Sequence, residues 1–321
     1  MAAGVMGVPV PILALCLAAS WVAEERFELN GQIDPPRGRV MVALDGATSP
    51  YTARTVSDSN GRFRFRGLVA GPYTLRAFVP GLDESRQTVE VSASLADSRR
   101  RIIVTVPFAG TATSREAREA PHKVDTRQLS IPAAAIREYR EAQTLLNKED
   151  TGAAIKRLER AVELAPQFTE AWNNLGIIAY HDRRLEDAER YFRQALERDP
   201  GAYSPAVNLG GVLVTAGRFR EALAYNTYAV QQQPQDALAN VQLGMNYFYL
   251  GDLDLGQKYL KEAKRLDPNH FSYPQLLLAE IYTRRGDRKG AIGELEDFLR
   301  RHPDVREADK VRSDLDRLKV P

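Results

Sequence analysis

Cysteine is almost missing from this chain. The one thiol, Cys16, lies inside an uncharged apolar stretch at the N-terminus. A chain shortened past that stretch has no thiol at all, which removes disulfides, cysteine nucleophiles and cysteine zinc sites. Histidine is scarce as well: His122, His181, His270 and His302 share no metal-ligand spacing. Net charge is lacking too, since 44 basic against 42 acidic residues leave only +2. That balance removes the compositional case for a nucleic-acid binder. A phosphate-binding glycine loop, a nucleophile elbow and a paired His-Glu zinc motif are all absent from the sequence. Acidic pairs such as Glu186-Asp187 and Glu296-Asp297 alternate with arginine, as on a solvated helix face. With no convergent set of reactive groups, the chain is expected to be non-enzymatic and to need no cofactor and no metal. What is present is ordinary globular composition, 44% hydrophobic and 27% charged over 321 residues, enough chain for two domains.

Met1 to Ala23 carry no charged side chain; Glu24 is the first. The apolar core from Val8 to Ala19 has the length of a secretory h-region, and Ala18-Ala19-Ser20 offers small residues for cleavage before Trp21. The n-region has no Lys or Arg, which is atypical. Two other fates are weighed against a cleaved signal peptide. An uncleaved anchor is disfavoured because Pro9 and Pro11 shorten the helix below the ~20 residues of a span. A lipidated Cys16 is disfavoured because Leu15 stands where such processing wants a small residue.

From about Phe27 to Phe108 the pattern has period two. Val40–Leu44, Arg62–Arg66, Tyr73–Val79, Thr88–Val91 and Ile102–Val106 read as strands. Asp58-Ser59-Asn60-Gly61, Gly71-Pro72 and Pro80-Gly81 supply turns between them. Short strands with glycine-rich turns predict a small antiparallel sandwich. The ordered run Asp58, Gly61, Phe63, Phe65, Leu68, Gly71, Tyr73 and Leu75, followed by Pro80-Gly81, resembles the carboxypeptidase-regulatory-like domain. That resemblance implies a prealbumin-like, carbohydrate-binding-like accessory module without catalysis, in some members a sugar binder. Its aromatics here fall on core positions rather than on an exposed platform. The Arg62, Arg64, Arg66 row takes the opposite face, where it reads as solvated charge that discourages edge pairing before it reads as an anion site. Arg99-Arg100-Arg101 reads as a soluble hairpin flank.

Ala109 to Leu129 is poor in large apolar residues and reads as a mobile connector. Beyond Ile131-Pro132 a fixed period appears: Pro166, Pro200, Pro234 and Pro268 recur every 34 residues, and Pro303 follows after 35. Small residues keep the same beat in three rows: Ala142, Gly176, Gly210, Gly244, Ala279; Ala154, Ala188, Ala222, Gly256, Ala291; and Ala161, Ala195, Ala229, Ala263. With Trp172, Leu175-Gly176, Tyr180, Ala188, Phe192, Ala195 and Pro200 in the second copy, the pattern resembles the tetratricopeptide repeat. Departures are Ala142 for glycine in the first copy, Asn226 where an aromatic is usual, and Phe298 for alanine in the fifth. After Pro303, Val305, Ala308, Val311, Leu315 and Leu318 form one apolar stripe, as a capping helix needs.

The resemblance implies stacked helix pairs whose first helices line a concave groove. In that family the residue before the Leu-Gly pair faces the groove; here it is Asn174, Asn208 and Gln242. Neighbouring groove positions are Asn173, Ile177 and Tyr180, then Val207, Gly211 and Val214, then Val241, Met245 and Phe248. A carboxamide both donates and accepts, so such a row could read a peptide backbone. The equal alternative is that these amides merely tolerate exposed helix positions.

The sequence therefore predicts a multidomain chain: a small all-β antiparallel sandwich followed by an all-α tetratricopeptide repeat solenoid. Its parts are a signal peptide at 1–20, the sandwich at 25–108, a linker at 109–131, five repeats at 132–303 and a capping helix at 304–321. The expected function is an exported scaffold or adaptor, periplasmic, extracellular or envelope-associated, that holds a peptide or protein in its groove. The alternative is a carbohydrate-binding protein whose sandwich holds glycan while the repeats only oligomerise. No nucleic-acid partner is expected, and membrane association would need an uncleaved N-terminus.

Overall fold

The computed structural model describes residues 25–47, 51–79, 84–108, 131–148 and 150–320. The expected signal peptide and nearly all of the expected linker lie outside them. Among the described residues seven strands come first: β1 Phe27–Asp34, β2 Met41–Gly46, β3 Thr52–Val56, β4 Arg62–Leu68, β5 Gly71–Phe78, β6 Glu84–Val91 and β7 Arg101–Pro107. They form two sheets, one ordered β4-β1-β7 and one ordered β3-β2-β5-β6. The alternation in β4 puts Phe63, Phe65 and Leu68 inside, where they meet Leu29 and Ile33 of β1 and Tyr73 and Leu75 of β5. The purely antiparallel expectation needs one correction, because β1 runs parallel to β7 from Glu28 to Asp34. A chain that enters and leaves through neighbouring strands of one sheet, with both sheets between, closes the sandwich this way.

The Asp58–Gly61 turn steps between the sheets rather than closing a hairpin. Asp58 Oδ1 accepts from the backbone N–H of Asn60 at 2.9 Å and Arg62 at 2.8 Å, and Gly61 takes φ +77°. Gly31 on β1 is required for a different reason. A Cβ there would come within 1.9 Å of the Phe63 ring, so the strand gives up a side chain to seat the aromatic.

Eleven helices follow among the described residues. They are α1 Ala133–Leu146, α2 Thr151–Leu164, α3 Thr169–His181, α4 Leu185–Arg198, α5 Tyr203–Thr215, α6 Phe219–Gln232, α7 Ala237–Leu250, α8 Leu253–Leu266, α9 Pro274–Arg284, α10 Arg288–Arg301 and α11 Ala308–Lys319. Taken in pairs, α1 to α10 make the five repeats. Asp150, Asp236, Asp252 and Asp287 cap α2, α7, α8 and α10 by accepting backbone N–H groups of the first turn.

The small residues on the repeat period sit where paired helices cross. A Cβ on Gly176 would strike Phe192, one on Gly210 would strike Asn226, and one on Gly244 would strike Leu260. Ala154, Ala188, Ala222 and Ala291 on the partner helices are fully buried. At the far end α11 lays Ala308, Val311 and Leu315 against the last repeat, with Val305 and Leu318 partly buried beside them.

A second periodic device ties three of the four inter-repeat turns to the next helix, the turn at Pro200 being followed by Ala206 at that position. The Pro166 carbonyl accepts from Trp172 Nε1 at 2.8 Å, Pro234 from Asn240 Nδ2 at 2.9 Å, and Pro268 from Gln275 Nε2 at 2.7 Å. An amide can therefore replace the tryptophan of this position. Gln, one methylene longer than Asn, stands where the turn gains a residue and the period becomes 35.

Candidate functional site

The first helices of the repeats, α1, α3, α5, α7 and α9, stand side by side along one wall. On α3, Asn173 and Asn174 are half-buried, and so are Ile177 and Tyr180 four and seven residues on. Helical periodicity puts all of them on one face. Asn174 Nδ2 donates to the Tyr139 hydroxyl of α1 at 3.2 Å, and Asn208 Nδ2 on α5 donates to Asn173 Oδ1 at 2.9 Å. Asn208 and Asn174 thus each spend one donor on the preceding repeat, and the expected free row is partly a ladder along the solenoid itself. Each amide keeps further hydrogen-bonding capacity toward solvent. Tyr180 and Thr215 continue the polar line with their hydroxyls 3.2 Å apart.

The wall changes character at repeat four. Gln242, Met245 and Phe248, expected on the open groove, are buried at 9%, 7% and 4% exposure. Gln242 lies against Gly211, where a Cβ would come within 2.7 Å of its Nε2. Met245 and Phe248 join the core that runs through repeats two to five. The Arg284 guanidinium covers the Phe248 ring at 4.4 Å. These three residues are withdrawn from the expected contact surface because neighbouring first helices approach closely there. Val207 and Val241 are buried for the same reason, at 4% and 0% exposure.

A cavity of about 230 Å³ opens at the N-terminal ends of α3 and α5. Thr169, Glu170 and Asn173 line one side, Tyr203 and Ser204 the other, and Asp199 the turn between them. Asn173 belongs to both the wall and this cavity, so the two form one continuous surface. Of the cavity, sequence reasoning found only Asn173, because the other residues just named lie in the turn and the first turns of α3 and α5, where the repeat pattern constrains only the proline.

Among the described residues two histidines are buried, and both lie beside Tyr273. His270 is 3% exposed in the turn before α9, and burial pushes its imidazole below the usual range against the pull of Asp267 and Asp236. His302, 4% exposed, packs against Tyr273 and Phe298; burial, with Arg301 nearby, lowers it to about 4. Among the described residues, no three His, Cys, Asp or Glu side chains are grouped to hold a metal ion. In the sandwich, Phe63, Phe65 and Tyr73 are buried, and the large apolar side chains exposed there are Val56, Leu95 and Ile103.

Known families match in the same two blocks. Models described as tetratricopeptide repeat match residues 139–203, 184–237, 237–270 and 275–304, and one described as carboxypeptidase regulatory-like domain matches 33–105. BBSome complex member BBS4 of Xenopus tropicalis is 24% identical over 154 residues, 48% of this chain and 30% of that protein. Anaphase-promoting complex subunit cut9 of Schizosaccharomyces pombe is 26% identical over 142 residues, 43% of this chain and 20% of that protein. The chain thus spans less than a third of the length of these curated relatives. Among solved structures, a MamA RS-1 double mutant is similar at TM-score 0.49 and 21% identity, covering 54% of this chain and 97% of that one. YrrB, described as a TPR protein with an unusual peptide-binding site, is similar at TM-score 0.48 and 23% identity, covering 56% and 92%. With the period, the inter-helix glycines and the family matches in register, the chain is a tetratricopeptide repeat protein carrying an N-terminal carboxypeptidase regulatory-like domain.

Proposed function

We propose that this protein is an exported, non-enzymatic adaptor that binds an extended peptide, or a protein segment presenting one, along the first-helix wall of repeats one to three. The single observation that carries the reading is the half-exposed amide line Asn173, Asn174 and Asn208, continuous with the cavity beside Asn173. Extended backbone offers alternating N–H and C=O groups, and carboxamides answer both. Export is supported by the uncharged apolar stretch before Glu24. A glycan role for the sandwich finds no support in exposed aromatics, and the sandwich is assigned none.

The test begins with photo-crosslinking from the native envelope, using a photoreactive residue in place of Ser204 in the cavity. A captured peptide or protein is then titrated calorimetrically against wild type and the Asn173→Ala, Asn174→Ala, Asn208→Ala triple variant. Three lost hydrogen bonds at about 0.5–1.5 kcal/mol each should weaken binding by roughly 2–4 kcal/mol. Unchanged affinity with the helical signal intact would place the ligand elsewhere.

A further inference from the structure

The two domains touch, and the contacts are specific. Arg86 of β6 pairs with Asp236, whose carboxylate is only 4% exposed and also caps α7. Two residues along, the Thr88 backbone N–H donates to Asp267 Oδ2 at 2.9 Å, in the turn before α9. β6 is an edge strand, so this carboxylate answers an N–H that would otherwise lie open. Arg86 also acts electrostatically on the Tyr203 hydroxyl and on His270, which places its guanidinium among the turns that open repeats three, four and five.

The opposite edge of the same sheet lies toward the other end of the solenoid. Arg54 of β3 lies close enough to the Tyr139 hydroxyl of α1 to act on it electrostatically. The sheet order β3-β2-β5-β6 makes β3 and β6 its two edges, about 14 Å apart at the usual strand spacing of ~4.8 Å. An arginine reaching out from each edge extends that to roughly three helix-to-helix steps of 8–10 Å.

The two outer faces of the sandwich differ accordingly. Thr88 is 7% exposed and Ala43 1% exposed, although both point away from the sandwich core. Burial on the same face pushes the Glu90 carboxyl up to about 7. On the other sheet Arg62, Arg64 and Arg66 are exposed and Ile103 is 79% exposed.

We propose that the carboxypeptidase regulatory-like domain is an intramolecular brace: its four-stranded sheet spans the solenoid from repeat one to the turns of repeats four and five and fixes the curvature of the first-helix wall. The role needs no sugar ligand and does not require a bound peptide, although Tyr139 and Tyr203 border both the sheet and the wall of the peptide reading above. A solenoid repeat contacts only its neighbours, so its curvature is soft unless something bridges distant repeats. The Arg86–Asp236 pair and the Thr88–Asp267 bond hold one end of the bridge. Because the Asp236 carboxylate is only 4% exposed, salt screens this pair much less than a surface one, and charge reversal at Arg86 is the sharper probe.

The experiment uses the full chain with Cys16→Ser and nitroxide labels on introduced cysteines, read as pairwise distances by pulsed dipolar spectroscopy. Labels at positions 95 and 159, and at 95 and 289, report sandwich against solenoid. The pair at 159 and 289 reports the solenoid end to end. Leu95, Glu159 and Lys289 are all exposed, so labelling leaves the packing alone. All three distributions are expected to be narrow in the parent. With Arg86→Glu they should broaden at least twofold, and with Arg86→Lys they should stay narrow. Arg86 is 31% exposed and outside the sandwich core, so these variants keep their fold. A broad parent distribution, or no response to Arg86→Glu, overturns the docking. Broadening of the 95 pairs with an unchanged 159–289 distribution overturns the brace, because the sandwich would then dock without shaping the wall.

Discussion

Replacing Gly210 by alanine tests whether the repeat glycines are there for close approach or for chain flexibility. Gly210 lies in the middle of α5, where alanine would ordinarily gain about 1 kcal/mol of helix propensity. A Cβ there, however, would fall 1.9 Å from Asn226 Oδ1 and 2.8 Å from its Cγ. Asn226 is fully buried, and its Nδ2 donates to Asn246 Oδ1. Asn246 in turn donates to the Phe219 carbonyl at 2.6 Å. The side chain therefore cannot swing aside without stranding a buried acceptor, a cost of about 1–3 kcal/mol, on top of a similar overpacking strain. Net of the propensity gain, Gly210→Ala should destabilise by roughly 1–5 kcal/mol.

The sign should reverse in an Asn226→Ala background. Every atom that the new methyl would strike belongs to the Asn226 side chain. With that side chain gone, Gly210→Ala should stabilise by about 0.5–1 kcal/mol. Gly293 on α10 is the control, since nothing lies within 4 Å of its Cβ position, and Gly293→Ala should stabilise in either background. Urea midpoints followed by circular dichroism give the ranking. Hydrogen exchange of α5 and α6 amides gives the local reading that a solenoid, with its graded unfolding, requires. Equal destabilisation by Gly210→Ala in both backgrounds would refute the steric account.

His302 should make the last repeat acid-sensitive. Its folded pKa of about 4 lies below the unfolded 6.5, so stability is complete above pH 6.5 and falls as pH drops from there towards 4. The loss approaches roughly 3 kcal/mol at pH 4. His302→Phe should remove that slope, and the urea-midpoint gap between variant and parent should widen from pH 7.5 to pH 5; a constant gap would count against it. Gln275→Ala should cost about 1–2 kcal/mol by leaving the Pro268 carbonyl without its 2.7 Å donor, seen as faster exchange at the start of α9. Gln275→Asn should cost nearly as much, because the shorter amide cannot cross the longer turn; full stability in that variant would contradict the length argument.

The repeats were legible because one register repeats several independent constraints. A proline, three small positions and an apolar stripe recur together, and each is a steric requirement of one helix crossing another. The sandwich was legible only where alternation was strong. β1 reads Phe-Glu-Leu-Asn-Gly-Gln-Ile-Asp, with its inward residues every second position, yet its Asn30-Gly31 pair resembles a hairpin turn. In the structure Gly31 is mid-strand, kept small by Phe63, a reason that lies in another strand and leaves no local mark. β3, Thr-Ala-Arg-Thr-Val, is short, polar and at an edge, so it has almost no apolar period to show.

The wall was legible by position and not by environment. Asn174, Asn208 and Gln242 occupy one repeat position, and sequence alone treats them as equivalent. Their neighbours decide otherwise. Gly211 on α5 leaves room for the Gln242 amide to fold inward, whereas Ile177 at the same position of α3 is a full side chain. The three amides thus descend from half-exposed on α3 and α5 to buried on α7. If Gly211 is what admits Gln242, then Gly211→Ala should push that amide outward. The far end of a flexible side chain yields easily, so stability should fall by less than about 1 kcal/mol. The gain would appear as a new solvent-exposed carboxamide at repeat four, read as faster exchange of the Gln242 side-chain NH2 by NMR. A Gln242 signal as protected as in the parent would mean that α7 sits close to α5 for reasons other than the missing side chain.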